Sequence, residues 1–303
     1  MLDRESTFAQ PELIRLLKTD FIPVAIDQAN QRRQTDTEGE FYQKIAGQGP
    51  LKDFKKTTQG FYVATAAGKL MLYNNNRDPE KVLRLVKESL AKFQRDASAL
   101  NVAPLVAKSV DRRYTHTATE GQLIVRVQAK ILGGYKPTTD RWERLFQTAL
   151  SRDNLWITKQ EHKQLVGGEF PQTLSDRIAR FHLVDNTRGE PLMWRQEEVQ
   201  LAKIDLANNR LNGKFTMSTA SDVAFPRTYD CQLKGHIEVQ DGKVVRFDAV
   251  ALGQCSGEGR YTRGAPEGQF PLAISFTLAD GSDTADQLPP QGARGWIDGY
   301  FDQ

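Results

Sequence analysis

The residues able to do acid–base, nucleophilic or metal chemistry are few enough to weigh one by one. The chain carries two cysteines, Cys231 and Cys255, and four histidines, His116, His162, His182 and His236. The histidines are far apart, with no His-x-x-x-His or Cys-x-x-Cys spacing, so no metal and no other cofactor is expected. No Gly-rich phosphate loop, Gly-x-Ser-x-Gly elbow or Walker sequence occurs, and Gly257-Glu258-Gly259 is too short and opens no helix. Carboxylates are too numerous to single out a hydrolytic pair. The densest run of chemically capable side chains is 177–191. There a helix end delivering His182, Asp185 and Arg188 to one pocket would make a site for an anionic ligand. The same residues have ordinary structural jobs, which is the more economical reading. Leu174, Ile178 and Phe181 pack the helix, cations near its end complement the dipole, and Asp185-Asn186 forms a turn.

The cysteines belong to a hairpin around Asp241-Gly242. Pairing Leu233 with Ala251, Gly235 with Ala249, Ile237 with Phe247 and Val239 with Val245 puts every apolar residue on one face and leaves a three-residue loop, Asp241-Gly242-Lys243. His236 then faces Asp248, and Glu238 faces Arg246, on the polar side. In this register Cys231 faces Gly253 and Cys255 lies a diagonal step away on the buried side, about 7–8 Å off. A Cys231–Cys255 disulfide would need a bulge at Gly253, so two buried free thiols are favoured over it. With nothing basic beside either cysteine, a catalytic pair is the least supported option.

Around these residues the pattern predicts a mixed succession of elements. Gln10-Pro11-Glu12 opens a helix bearing Leu13, Ile14, Leu16 and Leu17, and Phe21–Asp27 reads as a buried strand. Thr37-x-x-Glu40 has the form of a capping box for a helix that buries Phe41 and Ile45 and ends at Gly47. A hairpin turns at Ala66-Ala67-Gly68, and Asp78-Pro79 caps a helix with Val82, Val86, Leu90 and Phe93 at helical spacing. Further on come a strand at 122–129, helices opened by Asp140 and by Thr158-x-x-Glu161, a half-buried strand after Asn208-Asn209, and a strand over 270–278.

The order helix, strand, helix, hairpin, helix, together with Arg4-Glu5-Ser6-Thr7-Phe8, Pro11-Glu12-Leu13-Ile14-x-Leu16-Leu17 and Phe21-Ile22-Pro23-Val24-x-Ile26-Asp27, resembles the thioredoxin-like domain of the spermatogenesis-associated family of uncharacterised thioredoxin-domain proteins. The resemblance covers residues 1–95. In that family a Cys-His-x-Met or Cys-x-x-Cys segment directly precedes the Arg-Glu-Ser, and here Met1-Leu2-Asp3 stands before it. Where thioredoxins carry a cis-proline, this chain has Thr58-Gln59-Gly60. The resemblance therefore implies a thioredoxin-like unit without its first strand and without its redox turn.

Length and composition fit two domains of an ordinary globular protein. The 303 residues are 39% hydrophobic and 26% charged, and no apolar stretch nears the roughly 18 residues of a spanning helix. With 41 basic against 38 acidic residues, interspersed, the footprint of a nucleic-acid binder is missing. The fold class expected is α+β: a thioredoxin-like α/β domain over 1–100, a linker at 101–110, a mixed β-rich antiparallel domain over 111–279, and an extended Gly/Pro/Asp-rich tail over 280–303 whose Trp296 and Tyr300-Phe301 dock back. The expected function is a redox-inactive structural or protein-binding module, not an enzyme. The alternatives are a thiol-disulfide oxidoreductase whose cysteine turn lies upstream of Met1, and a β-rich domain binding a small ligand. The polar start, Met1-Leu2-Asp3-Arg4-Glu5, is no signal peptide and points to the cytoplasm, or outside it if a leader precedes Met1.

Overall fold

The computed structural model describes residues 6–96, 110–111, 116–293 and 296–302, which fall into two units, Asp3–Thr115 and His116–Gln303. The expected linker lies outside the described residues but for Val110. The boundary shifts from the expected start at 111, because Asp111 is tied into the first unit. Its carboxylate accepts from the Thr35 N–H and hydroxyl, and its own N–H donates to Asp36 at 2.7 Å.

In the first unit, helix α1 (Pro11–Asp20) is capped by Gln10, and a single turn, α2 (Gln28–Gln31), is capped by Asp27. Helix α3 (Thr37–Ala46) precedes the hairpin of β1 (Phe61–Ala64) and β2 (Leu70–Asn74), and α4 (Pro79–Arg95) follows, capped by Asp78 as expected. Leu13 of α1 and Val82, Leu83 and Val86 of α4 form the core, with Phe61 and Leu72 of the hairpin against it. Two expectations are corrected. The cap of α3 is Asp36, not Thr37: its carboxylate accepts from the Gly39 N–H at 3.1 Å, so Tyr42 and Ala46 are the buried pair instead of Phe41 and Ile45. Burial would raise the Asp36 pKa, but the donors Gln34, Asp111 and Gly39 together hold it below its ordinary value.

The second correction concerns Phe21–Asp27, which forms no strand. Among the described residues the unit's sheet consists of β1 and β2, and 21–27 pairs with neither. Strand propensity is a preference for a half-buried pleated surface, and without a neighbouring strand there is none to join. Ile22 is 91% exposed and Val24 73%.

The second unit is built on one antiparallel sheet of seven strands, ordered β4-β3-β9-β8-β7-β6-β5. These are β3 (Leu123–Ile131), β4 (Asp153–Ile157), β5 (Val199–Ala207), β6 (Arg210–Ser218), β7 (Thr228–Gln240), β8 (Lys243–Ser256) and β9 (Gln269–Leu278). Helices α5 (Arg141–Thr148), α6 (Lys159–Val166) and α7 (Gln172–Arg177) interrupt the strands, and α7 runs directly into a π-helical turn, Ile178–His182. The Thr158–Glu161 capping box of α6 has both arms, and Asp140 caps α5. Burial alternates along the strands, so Phe215, Tyr229, Leu233, Phe247 and Phe276 share one packed face.

The β7–β8 register agrees with the sequence from Leu233↔Ala251 through Glu238↔Arg246. The last rungs differ: Val239 pairs with Val244 and Gln240 with Lys243, leaving a two-residue loop and a bulge that turns Val245 out to solvent. Asp241 (φ 50°) and Gly242 (φ 71°) both occupy the left-handed region, the geometry a two-residue turn needs to match strand twist. Asn208 and Asn209 turn β5 into β6 in the same way. The charge on the outer face is also arranged differently, since Arg246 binds Asp248 on its own strand. Opposite Cys231, position 253 has no room for a side chain; a Cβ would lie 1.9 Å from the Asp230 carbonyl oxygen.

The tail, expected to be extended, is packed instead. It forms turns at Thr284–Gln287 and Gln291–Ala293 and a short helix, α8 (Ile297–Phe301), with Asp286, Ala293 and Tyr300 fully buried. Its composition offers little apolar area, but its acids meet two arginines. Arg126 and Arg152 both bind Asp286, and Arg152 also binds Asp283 at 2.7 Å. Asn154 on the edge strand β4 donates to the carbonyls of Ala285 and Leu288, so the tail clamps the strand that ends the sheet. Tyr300 docks as expected, whereas Trp296 is 57% exposed.

Candidate functional site

The structure divides the three residues expected to share a pocket into two separate clusters. The π-helical turn carries His182 inward, its extra residue closing the Leu183 N–H onto the Ile178 carbonyl at 2.9 Å. His182 Nε2 is 2.7 Å from the Tyr300 hydroxyl, and Nδ1 is 3.3 Å from Asp153 Oδ2. The Trp156 backbone N–H donates to the same hydroxyl. All three side chains are buried, and burial drives the Tyr300 pKa well above that of a free phenol.

Arg177, fully buried, completes this cluster. It donates to Glu161 at 2.8 Å and to the Tyr300 carbonyl at 2.8 Å, and its guanidinium stacks over the Tyr300 and Phe301 rings. Glu161 accepts from Arg177, from Thr158 through the capping box, and from the Thr173 hydroxyl at 3.0 Å. Burial alone would raise its pKa; the hydrogen bond and charge of Arg177, with Thr158 and Thr173, outweigh it and hold Glu161 below the ordinary 4.5. A hydroxyl, an imidazole and a carboxylate in series have the form of a nucleophile–base–acid relay. Here all three groups are buried and His182 Nδ1 makes no hydrogen bond to the carboxylate, and the series ties Tyr300 of α8 to the π-helical turn and to β4.

Asp185 and Arg188 form the second cluster, 2.6 Å apart. Arg188 spends its remaining donors on the Thr262 carbonyl and the Tyr135 hydroxyl, and Asp185 accepts from the N–H and hydroxyl of Thr187. Beside them lies a cavity of about 10 Å³, bounded by Asp185, Trp194, Arg227, Cys255 and Thr262, which is room for about one water molecule. Arg227 stacks on Trp194, 4.4 Å from the ring centre, and burial lowers its pKa against the opposing charges of Glu198 and Asp185.

His162 has a structural role of the same kind: Nδ1 lies 3.0 Å from the Gly121 carbonyl, and Nε2 accepts from the Val244 N–H. Among the described residues, no group of three His, Cys, Asp or Glu side chains is placed to hold a metal ion, and no helix is long and apolar enough to cross a membrane. Cys231 and Cys255 are free and buried, with no Cys231–Cys255 disulfide between them. Burial pushes the Cys231 thiol up to about 12, against a hydrogen bond with Tyr229, and pushes Cys255 up as well. At pH 8 a thiol with a pKa of about 12 is ionised in roughly one molecule in ten thousand. Iodoacetamide at that pH is expected to leave the native chain unmodified and to add two groups in guanidinium, as read by intact-protein mass spectrometry.

The sequence marks His182 and the Asp185–Arg188 pair, but not Asp153 and Tyr300, which His182 meets. Tyr300 lies 118 positions from His182 and 123 from Arg177, and Glu161 lies 16 from Arg177; the capping box was a local signal for one half of what Glu161 does. Fold and clusters together define an α+β protein whose second unit is a curled antiparallel sheet with an apolar core and buried polar clusters at its margin. Searches of protein-family models, of curated proteins and of solved structures find no match to this chain.

Proposed function

We propose that the chain is a redox-inactive structural or protein-binding module, in which a thioredoxin-like first unit receives a partner and the second unit is a β-rich domain. The observation that carries the reading is the segment Ile22-Pro23-Val24-Ala25-Ile26, extended in sequence pattern, apolar and exposed, with Ile22, Val24 and Ile26 at strand spacing. Burying one such side chain on association is worth up to about 1.5–3 kcal/mol. Both thiols are buried and protonated, which supports the absence of thiol-disulfide chemistry in the chain as given. The cavity beside Asp185 and Arg188, at the size of a water molecule, lends no support to a small-ligand reading.

The test is binding of an array of extended apolar peptides to the 303-residue chain and to an Ile22→Asp/Val24→Asp variant, alongside insulin reduction by dithiothreitol. Peptides retained by the parent and lost by the variant, with insulin reduction at the background rate, are expected. Equal retention by both chains, or insulin reduction abolished by Cys231→Ser or Cys255→Ser, would sink the reading.

A further inference from the structure

The tail turn Thr284–Gln287 meets the outer face of the seven-stranded sheet at Arg126, while the side chains of the middle strands stand exposed and can be read in rows from the strand register. One row runs Lys203, Lys214, Gln232, Leu252, Ala273, Lys130; the next runs Asp205, Asn212, Lys234, Val250, Ser275, Gln128. Val250 (47% exposed) and Leu252 (50%) thus stand side by side in the middle of a polar sheet. Around them the surface dips into an open trough of about 590 Å³, whose walls include Lys214, Gln232, Lys234 and Gln254. Lys203 is engaged by Asp205 at 3.1 Å, whereas Lys130, Lys214 and Lys234 make no ion pair among the described residues. One acid, Asp230, stands at the trough's end, where it accepts from the Thr216 hydroxyl.

We infer that this face docks an acidic amphipathic polypeptide segment, one that lays two neighbouring apolar side chains on Val250 and Leu252 and turns carboxylates toward Lys214 and Lys234. The spacing suits it. Residues two apart on a strand are about 6.6 Å apart, close to the about 5–6 Å between i and i+4 side chains on a helix. The charge suits it too, because Lys214 and Lys234 in the trough's wall make no ion pair among the described residues, while Asp230 is the one carboxylate in that wall and the nearby Asp205 and Asp248 are engaged by Lys203 and Arg246. The volume is that of a binding groove of about 300–1,000 Å³. A lipid surface fits less well, since the apolar pair is recessed between lysines where a membrane anchor would project. This site lies in the second unit and stands or falls apart from the segment around Val24.

The experiment is selection of displayed random peptides on the intact chain, with the Lys214→Glu/Lys234→Glu variant in solution to remove clones that bind elsewhere. Both lysines are exposed, so the variant is expected to melt with the parent, and a thermal scan checks this. Surviving clones are expected to be net acidic with paired apolar residues. Synthetic peptides made from them should bind Leu252→Ser at least about tenfold more weakly than the parent, and more weakly in high salt. No surviving clones, survivors without acidic bias, or equal binding to Leu252→Ser would overturn the inference. So would lysine-dependent sedimentation with phosphatidylcholine–phosphatidylserine vesicles in place of peptide binding.

Discussion

Replacing Arg177 by methionine is expected to cost the second unit about 3–5 kcal/mol at neutral pH. The methionine fills much of the space but strands Glu161, a buried carboxylate whose strongest partner is the Arg177 guanidinium. It also frees the carbonyls of Tyr300 and Phe301, which Arg177 holds from beneath. The pH dependence carries the diagnosis. In the parent, Glu161 titrates below its ordinary 4.5, so its contribution is present above that value and is lost as pH falls through the lower native one. In Arg177→Met the desolvation of Glu161 prevails and its native pKa rises above the unfolded value. The contribution is then present below the ordinary pKa and lost as pH climbs through the raised one. Urea unfolding between about pH 3 and 7 should therefore show the parent losing stability only as pH falls below about 4.5 and the variant losing it as pH climbs above that value, with the double variant Arg177→Met/Glu161→Gln regaining most of the loss. Parallel curves for parent and variant would mean that the ion pair is not what holds this region.

What the sequence revealed and what it hid follow one physical division. Features made by neighbours in the chain were legible: the Thr158–Glu161 box, the Asp140 and Asp78 caps, and the Asn208-Asn209 turn, because both partners of each hydrogen bond lie within a few positions. The β7–β8 register was legible because a slip of one residue would turn Phe247, Ala249 and Ala251 to solvent. Its loop was not, because the bulge at Val245 moves an exposed valine whose burial does not discriminate the two registers. Phe21–Asp27 shows the limit of propensity: its composition suits a strand, but a strand exists only beside another. The candidate cluster was half legible for the same reason. His182 and Arg177 are close in sequence, while Tyr300 and Asp153 reach them through the tertiary fold.

The tail is the case where composition misleads most, and its test is Asp286→Ala. Gly, Pro, Asp and Gln dominate 280–294, a composition poor in the apolar area that usually offsets ordering entropy. Order here comes from charge geometry instead. Asp286 is fully buried and receives Arg126 through Nε and Nη2 and Arg152 through Nη2, a carboxylate shared by two planar donors. The two guanidinium side chains remain 24–25% exposed, so water relieves part of their loss when the carboxylate is removed. The expected cost thus falls near the low end of the roughly 3–5 kcal/mol typical of breaking a buried pair. Asp280 also meets Arg126, and its pKa is lowered to about 2, first by Ser282 and then by the arginine, but it is solvent-exposed and Asp280→Ala is expected to change little. The consequence of Asp286→Ala reaches beyond its own pair. With the clamp open, Asn154 loses the carbonyls of Ala285 and Leu288, and the edge of β4 is uncovered. Limited proteolysis should then cut between 280 and 296 in Asp286→Ala and spare the parent and Asp280→Ala. Equal cutting of all three would show that Tyr300 and Arg177 hold the tail without help from the arginine clamp.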